Sequence, residues 1–139
     1  MVSSEKILQK FTLLEEYLQL LQEISKTPKD HFLRDKILIG SAKYYLQVSI
    51  ECCLDVANHT IASESFRAPK NYADAFQVLA EQNVLDSELA TRLQQMAKFR
   101  NRLVHLYGEV DDDFVYKALT EDLKDILRFK KTIVETFTP

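Results

Sequence analysis

Turn-forming residues are scarce in this chain, with two glycines and three prolines in 139 residues. A β protein built from many hairpins needs far more of them, and a disordered chain would not carry 46% hydrophobic residues beside 28% charged ones. Cysteine is equally scarce. Cys52 and Cys53 are adjacent, whereas a disulfide framework or a metal centre needs spaced ligands, so a reduced thiol pair in a core is the expectation. No stretch approaches the roughly 18 uninterrupted apolar residues of a membrane span. The N-terminal MVSSEKILQKF has no basic region leading into an apolar run, which reads as an unexported, cytoplasmic chain without membrane association. A net charge of −3 argues against a general nucleic-acid coat but leaves local patches open.

What remains is helix. The length suits one domain, residues 1–139, with a core that needs no staples. Ser3 or Ser4 can cap a first helix carrying Ile7, Phe11, Leu14, Leu18 and Leu21 at alternating spacings of four and three, ending near Lys26 ahead of Pro28. A second helix is predicted from about Asp30 to Thr60. It is apolar on three faces, the first holding Ile37, Tyr44 and Val48 and the third Leu46, Ile50, Cys53 and Ala57, as suits the centre of a bundle. Asn71 caps a short helix, and Asp86 caps a fourth that runs to Gly108, where a left-handed residue can end it. Asp111 to Asp113 start a fifth, with Val115, Leu119, Leu123, Ile126, Ile133 and Phe137 inward. The expected fold is an all-α antiparallel bundle of four to five helices.

One segment breaks the pattern: "KFRNRLVHLYGEVD", residues 98 to 111. Positions 89, 93, 96, 100, 103 and 107 form one stripe reading Leu, Leu, Met, Arg, Leu, Tyr. Arg100 therefore interrupts a core seam, a place that demands an anionic partner, because an unpaired buried charge is very costly. Between Glu88 and Glu109 there is no acidic residue, while Arg92, Lys98, Arg100 and Arg102 all fall there. Carboxylates are available on the second helix, where Gln47, Glu51, Asp55 and His59 recur every four residues. That stripe admits two readings, a metal site or a polar network around Arg100 or Arg102. The Glu-x-x-His pairs of dimetal bundles are absent, which favours the network. Asn101 and His105 share a face, but Arg100 and His105 are about 140° apart on an ideal helix. They converge only if Arg100 reaches round, if the turn near Gly108 is irregular, or if two copies of the helix meet. By position alone, His105 fits a helix C-terminal cap as well as a catalyst, and Tyr107 an ordinary interfacial side chain.

The string Arg100-Asn101-Arg102-Leu103-Val104-His105-Leu106-Tyr107 resembles the R-x4-H-x-Y motif of HepT-like proteins of the HEPN superfamily, toxin ribonucleases paired with an MNT-type nucleotidyltransferase antitoxin. The likeness extends to "QVSIECCLDVANHTIA" (47 to 62), to "NYADAFQVLAEQNVLDSELATRLQQMAKFRNRLVH" (71 to 105) and to "VDDDFVYKAL" (110 to 119). It thus covers most of the chain in the expected order.

The resemblance implies a homodimeric helical bundle whose paired motifs form a cleft, and metal-independent endoribonuclease activity with no cofactor. The ribose 2′-hydroxyl would attack the adjacent phosphate to leave a 2′,3′-cyclic end. Arg100 would stabilise charge on phosphate, which suits a planar guanidinium. His105 would act as general acid or base, and Asn101 would orient the phosphate or the imidazole. Glu51 and Asp55, the candidate supporting network, would hold either Arg100 or only the bundle, and Lys98 and Arg102, the latter not required by the motif, would meet RNA backbone. Tyr107 would accept AMP from the antitoxin, silencing the nuclease. The competing reading is a non-catalytic helical module that binds a nucleotidyltransferase or a nucleotide through Arg100.

Overall fold

The computed structural model describes residues 2–139. Every regular element among them is helical. Helix α1 (Ser4–Ser25) is capped by Ser3, whose hydroxyl accepts from the Lys6 amide, and it buries Ile7, Phe11, Leu14, Leu18, Leu21 and Ile24. The anticipated second helix is in fact two. A short α2 (Lys29–Arg34) stops at Asp35, which is extended (φ −107°, ψ 97°) and accepts from the Ile37 and Leu38 amides to start α3 (Lys36–Ser63). The break has no proline or glycine to announce it. It rests on one carboxylate satisfying two of the orphan N–H groups of a new helix.

Helix α3 is about 42 Å long and central, packed by α1 along one side and by α4 (Tyr72–Glu81) and α5 (Ser87–His105) along the other. Its third predicted face is in the core, with Leu46, Ile50, Cys53 and Ala57 all buried. The first is not: Ile37 is 81% exposed and Tyr44 is 53% exposed. The flanking helices leave that stripe to solvent. Asn71 and Asp86 cap α4 and α5 through side-chain oxygens that accept from the Asp74 and Leu89 amides. Between them Asn83 takes a left-handed φ of 60°, which asparagine tolerates.

The predicted fifth helix is also divided. Asp111 caps α6 (Asp112–Lys117), a π turn follows at 118–122, and α7 (Leu123–Phe137) completes the chain. Val115, Leu119, Leu123, Ile126 and Ile133 are buried as expected, while Phe137 is only half-buried. At the centre, the Phe129 ring meets Phe11 of α1 and Phe76 of α4 edge-on, at 6.3 and 5.6 Å between centroids, the arrangement aromatic quadrupoles favour. Cys52 and Cys53 are buried free thiols, and burial raises the Cys53 thiol far above its ordinary range. No helix among the described residues is long and apolar enough to cross a membrane.

Candidate active site

The site forms where α5 ends over the middle of α3. The α5 stripe buries Leu89, Leu93, Met96 and Leu103 and so carries Arg100 into the helix interface, its side chain 15% exposed. There it meets Glu51 of α3. Nε and Nη2 of Arg100 both donate to Glu51 Oε2, at 3.0 and 2.6 Å, and Nη1 donates to Asn101 Oδ1 at 3.0 Å. The guanidinium also lies 5.0 Å from the ring centroid of Tyr72, at the start of α4. Among the described residues three of its five N–H groups are thus committed, and one on each terminal nitrogen remains for an incoming oxygen. The charge the seam required to be paired is paired, and still has donors to offer.

The polar stripe of α3 divides instead of forming one network. Glu51 serves Arg100, but Asp55 turns to α1, where Lys10 donates to it at 2.9 Å. His59 Nε2 accepts from the Ser3 amide at 3.1 Å. The network around Arg100 therefore includes Glu51 but not Asp55, which ties α3 to α1. Each four-residue step advances about 40° around α3, so the stripe drifts from the α5 side to the α1 side. Asp55 and His59 line a groove between α1 and α3. Among the described residues no group of three His, Cys, Asp or Glu side chains is placed to share a metal ion.

His105 is the last residue of α5 and is exposed. The helix stays regular through it, so Arg100 and His105 keep their angular separation within one subunit. The irregular turn comes one residue later. Leu106 leaves helical geometry (φ −130°, ψ 37°), and 107–109 form a tight turn closed by the Glu109 amide donating to the Leu106 carbonyl at 2.8 Å. Gly108 lies inside that turn without a positive φ, so the left-handed stop expected there does not occur. Burial of Val110 draws the chain away instead.

Tyr107 is half exposed in this turn. It lies against α3 and meets two residues the sequence did not single out. The Lys43 ammonium sits 4.3 Å from the Tyr107 ring centroid and donates to the Tyr107 carbonyl at 3.4 Å. A Cβ added to Gly40 would lie 3.7 Å from the Tyr107 hydroxyl. The available signal was a lone lysine between Ala42 and the apolar run that follows it. Arg102 is exposed with its guanidinium 5.6 Å from the Phe114 ring centroid, and Lys98 is exposed on the outer face of α5.

A family model described as Ribonuclease HepT-like matches residues 14–133. The mRNA nuclease HepT of Shewanella oneidensis is 28% identical over 127 residues, covering 88% of this chain and 92% of that protein. The tRNA nuclease HepT of Aphanizomenon flos-aquae is 26% identical over 110 residues, covering 78% of this chain and 74% of its own. Among solved structures, the tri-AMPylated Shewanella oneidensis HEPN toxin in complex with MNT antitoxin superposes with a TM-score of 0.89 at 27% identity. That superposition spans 96% of this chain and 99% of the toxin.

Proposed function

The chain belongs to the HepT-like ribonuclease family, and from that premise we propose how its residues do the work. It is the toxin of a toxin–antitoxin pair, an endoribonuclease whose partner is an MNT-type nucleotidyltransferase. Residues 1–139 act as one HEPN-like domain in the cytoplasm, where RNA and nucleotides are at hand.

The observation that carries the reading is the state of Arg100: largely buried, held by Glu51 and Asn101, and with two N–H groups uncommitted among the described residues. A preorganised guanidinium of this kind suits the phosphate oxygens, whose charge grows as the ribose 2′-hydroxyl attacks. In that step the 2′-oxygen bonds to phosphorus and the bond to the 5′-oxygen breaks, leaving a 2′,3′-cyclic phosphate and a 5′-hydroxyl. His105 accepts the 2′ proton or protonates the departing 5′-oxygen, either of which imidazole can do near neutral pH. No metal ion enters this scheme.

Because the two side chains diverge on one regular helix, we assign the complete site to two subunits, Arg100 of one facing His105 of the other across a homodimer cleft. Arg102 and Lys98 bind RNA backbone beside it. Tyr107 accepts AMP, and each AMP unit brings a phosphodiester negative charge that fills the cleft and competes with RNA for Arg100.

The test is intact mass of the chain incubated with and without its nucleotidyltransferase and ATP, followed by RNA cleavage in EDTA on each form. Wild type is expected to gain AMP and lose cleavage, and unmodified His105→Ala to stay folded and dimeric without cutting. Cleavage by folded His105→Ala would overturn the catalytic assignment. If no form cuts RNA while the two proteins still bind, the chain is a partner module.

A further inference from the structure

We propose that Lys43 and Gly40 of α3 form the seat that positions Tyr107 for nucleotidyl transfer. The inference rests on Tyr107 being the AMP acceptor. Lys43 is 7% exposed, an unusual place for an ammonium, and its contacts explain it. The group donates to the Tyr107 carbonyl at 3.4 Å, sits 4.3 Å from the centre of its ring, and is balanced by Asp112 at 3.7 Å, at the start of α6. One cation therefore ties α3, the 107–109 turn and α6 together at the acceptor. A buried ammonium held this way fixes the backbone and the ring plane at once.

Gly40, one helical turn before Lys43, leaves space at the other end of the ring. A methyl group there would make ordinary contact with the hydroxyl at 3.7 Å, whereas a longer side chain would meet it. The turn is otherwise held mainly by its own hydrogen bonds and is half in solvent, so without the seat the hydroxyl would sample many directions.

The transfer itself is a displacement. Tyr107 Oη bonds to the α-phosphorus of a nucleoside triphosphate, the bond to the bridging oxygen breaks with its electron pair leaving on pyrophosphate, and the phenolic proton passes to solvent. Such a step is sensitive to aim, and a misplacement of about 1 Å can cost two orders of magnitude. Lys43 and Gly40 are positioning residues that act through Tyr107.

The experiment measures AMP incorporation by intact mass against toxin concentration, using the full chain, its nucleotidyltransferase and ATP. Lys43→Met is expected to lower kcat roughly tenfold with KM nearly unchanged, and Lys43→Arg to recover most of the loss. Gly40→Ala should match wild type, and Gly40→Leu should fall as Lys43→Met does. Should Lys43→Met fail to fold by circular dichroism, Gly40→Leu decides alone. Wild-type rates in Lys43→Met and Gly40→Leu overturn the seat while leaving Tyr107 as acceptor. Absence of AMP on wild type, or its presence on Tyr107→Phe, overturns the acceptor itself.

Discussion

Removing Glu51 should damage both stability and cleavage, and the size of each effect follows from the contact. A fully buried ion pair loses about 3–5 kcal/mol when one partner is deleted, and a fully exposed pair seldom exceeds about 1 kcal/mol. Arg100 and Glu51 lie between these limits, with side chains 15% and 32% exposed and two hydrogen bonds converging on one oxygen. Glu51→Ala is therefore expected to cost about 2 kcal/mol. At an unfolding entropy of about 2.1 cal/mol/K per residue, that corresponds to a Tm lower by about 7 °C for a chain of this length. Glu51→Gln keeps an oxygen that can accept both bonds and should lie between the two. Freed of its partner, Arg100 should support cleavage about tenfold to a hundredfold more slowly. A double-mutant cycle with Arg100→Ala, read by thermal melts, should return a coupling of about 1–2 kcal/mol. Coupling indistinguishable from zero, together with wild-type cleavage by Glu51→Ala, would refute the claim that this carboxylate holds the arginine.

Two further outcomes are expected. Asp35→Ala should cost about 1 kcal/mol, because the Asp35 carboxylate caps α3, and hydrogen exchange should quicken at the Ile37 and Leu38 amides; unchanged exchange there would count against the cap. Arg67 donates to Asp74 and Glu81 and holds the Asp74 carboxyl down at about 2, a shift to which the Lys70 amide also contributes. A lowered pKa stabilises the fold above the ordinary carboxylate value and is lost as pH falls through about 2. The Tm gap between wild type and Arg67→Ala should then shrink between about pH 4 and pH 2, and a gap that does not change with pH would contradict this.

The caps were legible in advance because they are local. Ser3, Asn71, Asp86 and Asp111 each accept from an amide two or three residues ahead, a distance any reader of the chain can count. Asp35 obeys the same rule, yet it lies inside a continuous apolar period that conceals the break. The π turn at 118–122 was hidden likewise, since Val115, Leu119 and Leu123 keep the spacing of an unbroken helix. Arg100 stood out as a charge in a core seam, and that much needed only the period of one helix.

Which carboxylate answers Arg100 was beyond the sequence. Glu51 and Asp55 are one turn apart on one stripe, and only the packing of α1 and α5 on opposite sides of α3 sends one to Arg100 and the other to Lys10. Lys43 and Tyr107 are 64 residues apart, and no periodicity relates them. Helix content, caps, core stripes and the R-x4-H-x-Y string follow from near-neighbour spacing, and the sequence by itself determined these. The partner of each buried charge and the packing of Lys43 on Tyr107 were decided by the tertiary structure, because they depend on how far each helix is turned about its axis when it packs.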